Sequence, residues 1–110
     1  MPSFEHALAA TRGARDYQED TAIYWPGGLS GSAQTALASV PVNGSSVAVL
    51  ADGMGGHAGG ALASRMVCDE FLSVAVRYEG SANDRLLAAL QAANDALAVK
   101  VSQNPLLSGM

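Results

Sequence analysis

Two short stretches of the chain concentrate the side chains that can do chemistry. Arg15-Asp16-Tyr17-Gln18-Glu19-Asp20 packs one guanidinium and three carboxylates into six residues. Asp52-Gly53-Met54-Gly55-Gly56-His57 sets a carboxylate between an apolar run, Val47 to Ala51, and a glycine-rich turn. Carboxylates and an accessible backbone carbonyl, such as that of Gly53, are hard oxygen donors that suit Mg²⁺ or Mn²⁺ rather than zinc. A guanidinium fork such as that of Arg15 matches the oxygens of a phosphate. Side chains alternate along a strand, so Arg15 and Glu19 would share one face and Asp20 would lie on the other. One of the two neighbouring carboxylates then binds an ion directly and the other through water, or the strand bulges. The same residues also suit plainer roles: a charged, solvated strand entry for the first stretch, and a glycine hinge with Asp52 as turn former for the second. His57 could be a ligand, an acid or an exposed loop residue.

The elements that must position these groups can be read from the pattern around them. Phe4 to Thr11 is β-compatible, and Thr21 to Trp25 is a stronger strand, rich in β-branched and aromatic types and ended by Pro26-Gly27-Gly28. Leu29 to Ser46 reads as a loop with room for a short strand around Ala36 to Val42, and Asn43-Gly44 is a hairpin-turn signal. It leads into the apolar run Ser46 to Ala51, suited to a buried strand. Gly53 to Gly60 reads as a loop. From Ala61 to Tyr78, Arg65, Asp69, Ser73 and Arg77 recur every four positions, with Ala63, Val67, Phe71 and Val74 as the apolar stripe of a helix. Ser81-Ala82-Asn83-Asp84 is a capping sequence, and Leu86, Leu90, Ala93, Leu97 and Val101 form the apolar stripe of a second helix that Asn104-Pro105 ends. Cys68 and Met66 fall within the first helix as packing residues. A fold of three to four strands followed by two antiparallel helices is expected, in the α+β class. Such a pair of helices has more apolar surface than so few strands can cover, so further sheet is expected beyond Met110.

Composition narrows the classes. The chain has 110 residues, about half of them hydrophobic, and a net charge of −4. One small globular domain or part of one fits this length, and disorder does not fit this composition. Ten acidic residues against six basic ones, with few aromatics, argue against nucleic acid as a partner. No apolar run approaches the roughly 20 residues of a membrane span, and the N-terminus lacks the basic-then-apolar pattern of a signal peptide. The single Cys68 excludes an internal disulfide scaffold and suits a reducing, cytoplasmic location.

Two glycine-loop alternatives can be tested against the letters. Gly55 and Gly60 have the separation of a phosphate loop, but Ala61-Leu62 follow where Lys and Ser or Thr are required. Gly53-x-Gly55-x-x-Ala58 fits the dinucleotide fingerprint better, following a strand and preceding a helix. It would set the Asp52 carboxylate beside a pyrophosphate, and it leaves the cluster from Arg15 to Asp20 without a role.

Taken jointly, the two clusters resemble the metal-dependent protein phosphatases, also called protein phosphatase 2C-like. That family opens with Gly-x-Arg-x-x-Asn-Glu-Asp, and here Gly13-Ala14-Arg15-Asp16-Tyr17-Gln18-Glu19-Asp20 departs from it only in Gln18. The next motif of bacterial members, Ala-Asp-Gly-Met-Gly-Gly-His, is present unbroken from Ala51 to His57. Family members continue after the second helix with Gly-Met-Gly-Thr-Thr, and this sequence stops at Ser108-Gly109-Met110. The resemblance therefore implies the N-terminal portion, residues 1–110, of a single catalytic domain with an α–β–β–α sandwich fold.

It also implies a site and a reaction. Asp52 would bridge two Mn²⁺ or Mg²⁺ ions, Glu19 and the carbonyl of Gly53 would hold one of them, Asp20 would orient a water on the metals, and Arg15 would hold the substrate phosphate. Some members carry His directly after the Asp-Gly pair. Met54 stands there in this chain, and that role does not pass to His57. The implied activity is hydrolysis of phosphoserine or phosphothreonine on a protein, opposing a Ser/Thr kinase in bacterial signalling. The alternative is a truncated, catalytically incomplete phosphatase-like binding or regulatory module, because the family's remaining metal carboxylates lie in its C-terminal half.

Overall fold

A computed structural model describes residues 5–11, 13–14, 18–27, 37, 45–54 and 57–110, the side chains of His57 and Ala58 excepted. It is a small α+β fold. Among the described residues two strands, β1 (Asp20–Trp25) and β2 (Val47–Asp52), pair antiparallel, and two helices follow, α1 (His57–Arg77) and α2 (Ala82–Gln103). A single 3-10 turn, Pro105–Leu107, comes after α2.

The period-2 pattern of each strand sorts its side chains. Thr21, Ile23 and Trp25 of β1 stand opposite Ala51, Val49 and Val47 of β2, and these pairs line the inner face. Ile23 and Trp25 are buried there with Leu37, Cys68, Leu72 and Val76, and the three β2 residues pack against them. Asp20, Ala22 and Tyr24 pair with Asp52, Leu50 and Ala48 on the outer face, where Leu50 is 77% exposed. His6 of the N-terminal segment stacks on Tyr24 on that outer face, ring centroids 4.0 Å apart. Its imidazole also lies against Gly27, whose positive φ of 91° suits a residue without a side chain.

α1 covers the inner face of both strands and packs on α2 along its other side. Leu72, in the C-terminal half of α1, has no exposed surface. Replacing it with alanine removes three carbons from a closed core and should cost about 2–5 kcal/mol of stability. Urea denaturation measures this, and a loss below about 1 kcal/mol would contradict a packed inner face. α2 starts at an N-cap, Ser81, whose Oγ accepts a hydrogen bond from the Asp84 N–H at 3.1 Å. It ends at Asn104, whose side chain in turn caps the 3-10 turn by accepting from the Leu106 N–H at 3.2 Å.

Several expectations are corrected. Residues 5–11 form no strand; Phe4 lies outside the described residues. Two strands are therefore described where three to four were expected. Leu37 is helical and buried in the core, so at that position the reading of Leu29 to Ser46 as loop or strand fails; Ser45 and Ser46 are described without regular structure, and the rest of that stretch lies outside the described residues. α1 begins at His57, earlier than Ala61, and runs through Gly59 and Gly60. Its buried line is Ser64, Cys68, Leu72 and Val76 rather than Val67, Phe71 and Val74, which are half-buried at its flanks. In α2 the buried positions are Ala89 and Ala93, while Leu86 and Leu90 are 51% and 58% exposed. The helices meet through small side chains that allow close approach, which turns the leucine stripe away from the contact. No helix among the described residues is long and apolar enough to cross a membrane.

Candidate metal centre

The strand register brings the two key aspartates together. Asp20 opens β1, Asp52 closes β2, and the two are direct partners across the ladder. Opposed residues of an antiparallel pair point to the same face with Cβ atoms about 5 Å apart, and like charges in that arrangement repel. Both residues are exposed on the outer face at one end of the sheet. Glu19, one residue before β1, faces the other way, as strand alternation requires. Its carboxylate is lodged against the first turns of α1: a Cβ built on Gly60 would lie 2.7 Å from Glu19 Oε2 and 2.8 Å from its carboxyl carbon.

The backbone is equally close. A Cβ on Gly53 would lie 2.5 Å from the Glu19 carbonyl oxygen and 2.8 Å from the Gly60 carbonyl carbon. The entry of β1, the exit of β2 and the start of α1 thus touch through backbone at a point where only glycine fits. The C-terminal residues return to the same end, with Met110 Cβ 3.7 Å from a Cβ placed on Gly59.

Side chains one step inward lock β1 onto α1. Thr21 Oγ1 and Ser64 Oγ are hydrogen-bonded at 2.8 Å, and Ser64 Oγ also donates to the Ala61 carbonyl at 3.1 Å. Cys68 Sγ donates to the Thr21 carbonyl at 3.4 Å. Burial pushes the Cys68 thiol up to about 11, the Asp69 carboxylate beside it adds to the rise, and a hydrogen bond with the Ala51 backbone offsets part of it. Burial likewise raises Asp69, against the pull of Arg65 one turn earlier.

The thiol is therefore protonated at neutral pH and no nucleophile. Native protein should resist iodoacetamide at pH 8 and react only as it unfolds. The folded-state value lies above the ordinary 9.0, so the thiol's contribution to stability is complete below pH 9 and lost as pH rises through about 11. Alkylation of native protein at the rate of a free thiol would refute the burial.

Glu19, Asp20, Asp52 and Gly53 thus lie at one end of the strand pair, but on two sides of the sheet's lip. Among the described residues no three of His, Cys, Asp and Glu gather closely enough to form a metal cage. The donor set is nonetheless all oxygen, the kind that suits Mg²⁺ or Mn²⁺. Arg15 lies outside the described residues, and the His57 side chain likewise. Met54 is 71% exposed. Sequence reading took Gly60 for a loop residue and overlooked Thr21 and Ser64. Their signal was faint: a small residue near a helix start, and one hydroxyl on each facing element.

A second concavity lies well away from this end in sequence terms, along the α1–α2 groove. It has a volume of about 410 Å³ and is lined by residues such as Met66, Glu70, Asp95 and Lys100. It is open and gathers no convergent catalytic set. No protein-family model, curated protein or solved structure matches the chain.

Proposed function

We propose that the chain is the N-terminal portion of a metal-dependent serine/threonine protein phosphatase of the 2C-like type, with an α–β–β–α sandwich as the complete fold. The observation that carries this is the pairing of Asp20 with Asp52 across the ladder, with Glu19 at the same end on the other side of the sheet's lip. Two carboxylates directly opposed at one end of the ladder present several oxygen donors on one face, the kind of donor that Mg²⁺ or Mn²⁺ takes. The exposed Leu50 on the outer sheet face and the exposed Leu86, Leu87 and Leu90 on α2 support a larger domain.

In the proposed site Asp52, Glu19 and the Gly53 carbonyl would hold the divalent ions, and Asp20 would orient water there. The ions would supply Lewis acidity and lower the pKa of water toward neutrality. Asp20 orients the attacking oxygen in line with the phosphorus–oxygen bond to the serine or threonine. Arg15 holds the phosphoryl oxygens and offsets their charge as that bond breaks and the alcohol leaves with a proton. Cys68, buried and protonated, takes no part, so no phosphocysteine forms. The partner is a phosphorylated protein, opposed by a Ser/Thr kinase in the cytoplasm.

The absence of a three-ligand cage among the described residues favours one second reading, a catalytically incomplete module that binds phosphoprotein or metal without turnover. Hydrolysis of a phosphothreonine peptide, with and without Mn²⁺, separates the two. Mn²⁺-dependent phosphate release by this chain, or by a longer chain containing it, supports the phosphatase. Release by neither supports the module.

A further inference from the structure

We infer that Gly60 is a positioning residue for Glu19: the missing side chain in the first turns of α1 forms the cradle that sets the Glu19 carboxylate at the metal site. This rests on the reading of Glu19 as a ligand of a divalent cation. Gly60 is buried within a helix, where alanine is worth about 1 kcal/mol more than glycine. A glycine there costs helix stability, so it calls for a steric reason, and the reason is Glu19. A Cβ would sit 2.7 Å from Oε2, 2.8 Å from the carboxyl carbon and 3.1 Å from the Met54 carbonyl oxygen. The nearest of these atoms end a flexible side chain. The chain can therefore accept alanine by moving the carboxylate, which keeps the fold and displaces the ligand.

The test is a double-mutant cycle on the 110-residue chain with Mn²⁺ alone, reading free Mn²⁺ by electron paramagnetic resonance. Gly60→Ala should weaken Mn²⁺ binding by about tenfold or more, in the range of residues that orient ligands. In a Glu19→Gln background the same change should weaken it by less than about twofold, because its target is gone. Circular dichroism should find the metal-free melting point of Gly60→Ala at or above that of the parent. An equal penalty in both backgrounds, or none in either, overturns the inference while leaving Mn²⁺ binding by the parent intact. A parent chain that binds no Mn²⁺ overturns this inference, while the phosphatase reading is decided separately by Mn²⁺-dependent hydrolysis of the phosphothreonine peptide. If Gly60→Ala fails to fold, Glu19→Asp carries the test: it draws the carboxylate one methylene back from the cradle, and unchanged Mn²⁺ affinity overturns the inference.

Discussion

Asp52→Asn should lose Mn²⁺ affinity by more than about a hundredfold, since even residues that only orient metal ligands are worth 10- to 100-fold. It should do so without loss of fold. Asp52 ends β2 on the exposed face, opposite Asp20, and contributes no packing to the core. Removing one of two opposed negative charges relieves repulsion, so the metal-free variant should melt no lower than the parent and up to about 0.5 kcal/mol more stable. The signs are opposite, and that separates a ligand from a structural residue. Isothermal titration gives the first quantity and thermal melting the second. In any chain that turns over phosphopeptide, the same substitution should abolish the Mn²⁺-dependent rate. Full Mn²⁺ affinity, or a marked drop in metal-free stability, would remove Asp52 from the bridging position.

Gly53→Ala should damage both stability and metal binding, by a different route. The new Cβ would meet the carbonyl oxygen of Glu19 and the carbonyl of Gly60, both backbone groups. Neither can swing aside as a side chain can. Either β2 separates from the entry of β1, breaking the Asp20–Asp52 pairing, or α1 shifts from the sheet. Overpacking of this kind costs about 1–3 kcal/mol, and the rigid neighbours put this case at about 3 kcal/mol. Chemical denaturation should report that loss, and Mn²⁺ affinity should fall with it. A variant as stable as the parent would mean that the three-way backbone contact does not hold the site's end together.

The contrast between Gly53 and Gly60 marks how far the sequence could be read. The glycine-rich turn after an apolar run was legible as the end of a strand, because glycine and carboxylate follow the apolar run at Asp52 and Gly53. That Gly53 is crowded by the backbone of Glu19 and Gly60, and Gly60 by the Glu19 carboxylate, was not legible, because Glu19 lies more than thirty positions from either glycine. Alternation correctly predicted that Glu19 and Asp20 face opposite ways. It could not supply the register that pairs Asp20 with Asp52, since that depends on how Val47 to Asp52 and Asp20 to Trp25 align.

The helices were legible in kind but not in orientation. Ser81 and Asn104 mark the ends of α2 through local chemistry and were read correctly. In α2 Ala93 of the expected stripe is buried, but Leu86 and Leu90 are not: hydrophobicity favours the leucines, whereas the contact selects the small Ala89 and Ala93. In α1 a sheet and a second helix bury adjacent sides, so no single stripe describes it. Leu37 escaped notice because one leucine among serine, glycine and alanine carries no period.

The central claim is that Glu19, Asp20 and Asp52 converge on divalent ions at one end of the sheet. Amide resonances in the presence of substoichiometric Mn²⁺ test it most directly, because the paramagnetic ion broadens only its neighbours. Broadening should centre on Glu19, Asp20, Asp52, Gly53 and Gly60, while Trp25, Val47 and Ser81, near the other ends of their elements, stay sharp. Broadening centred on the groove residues Glu70 and Asp95, or none at all, would contradict it.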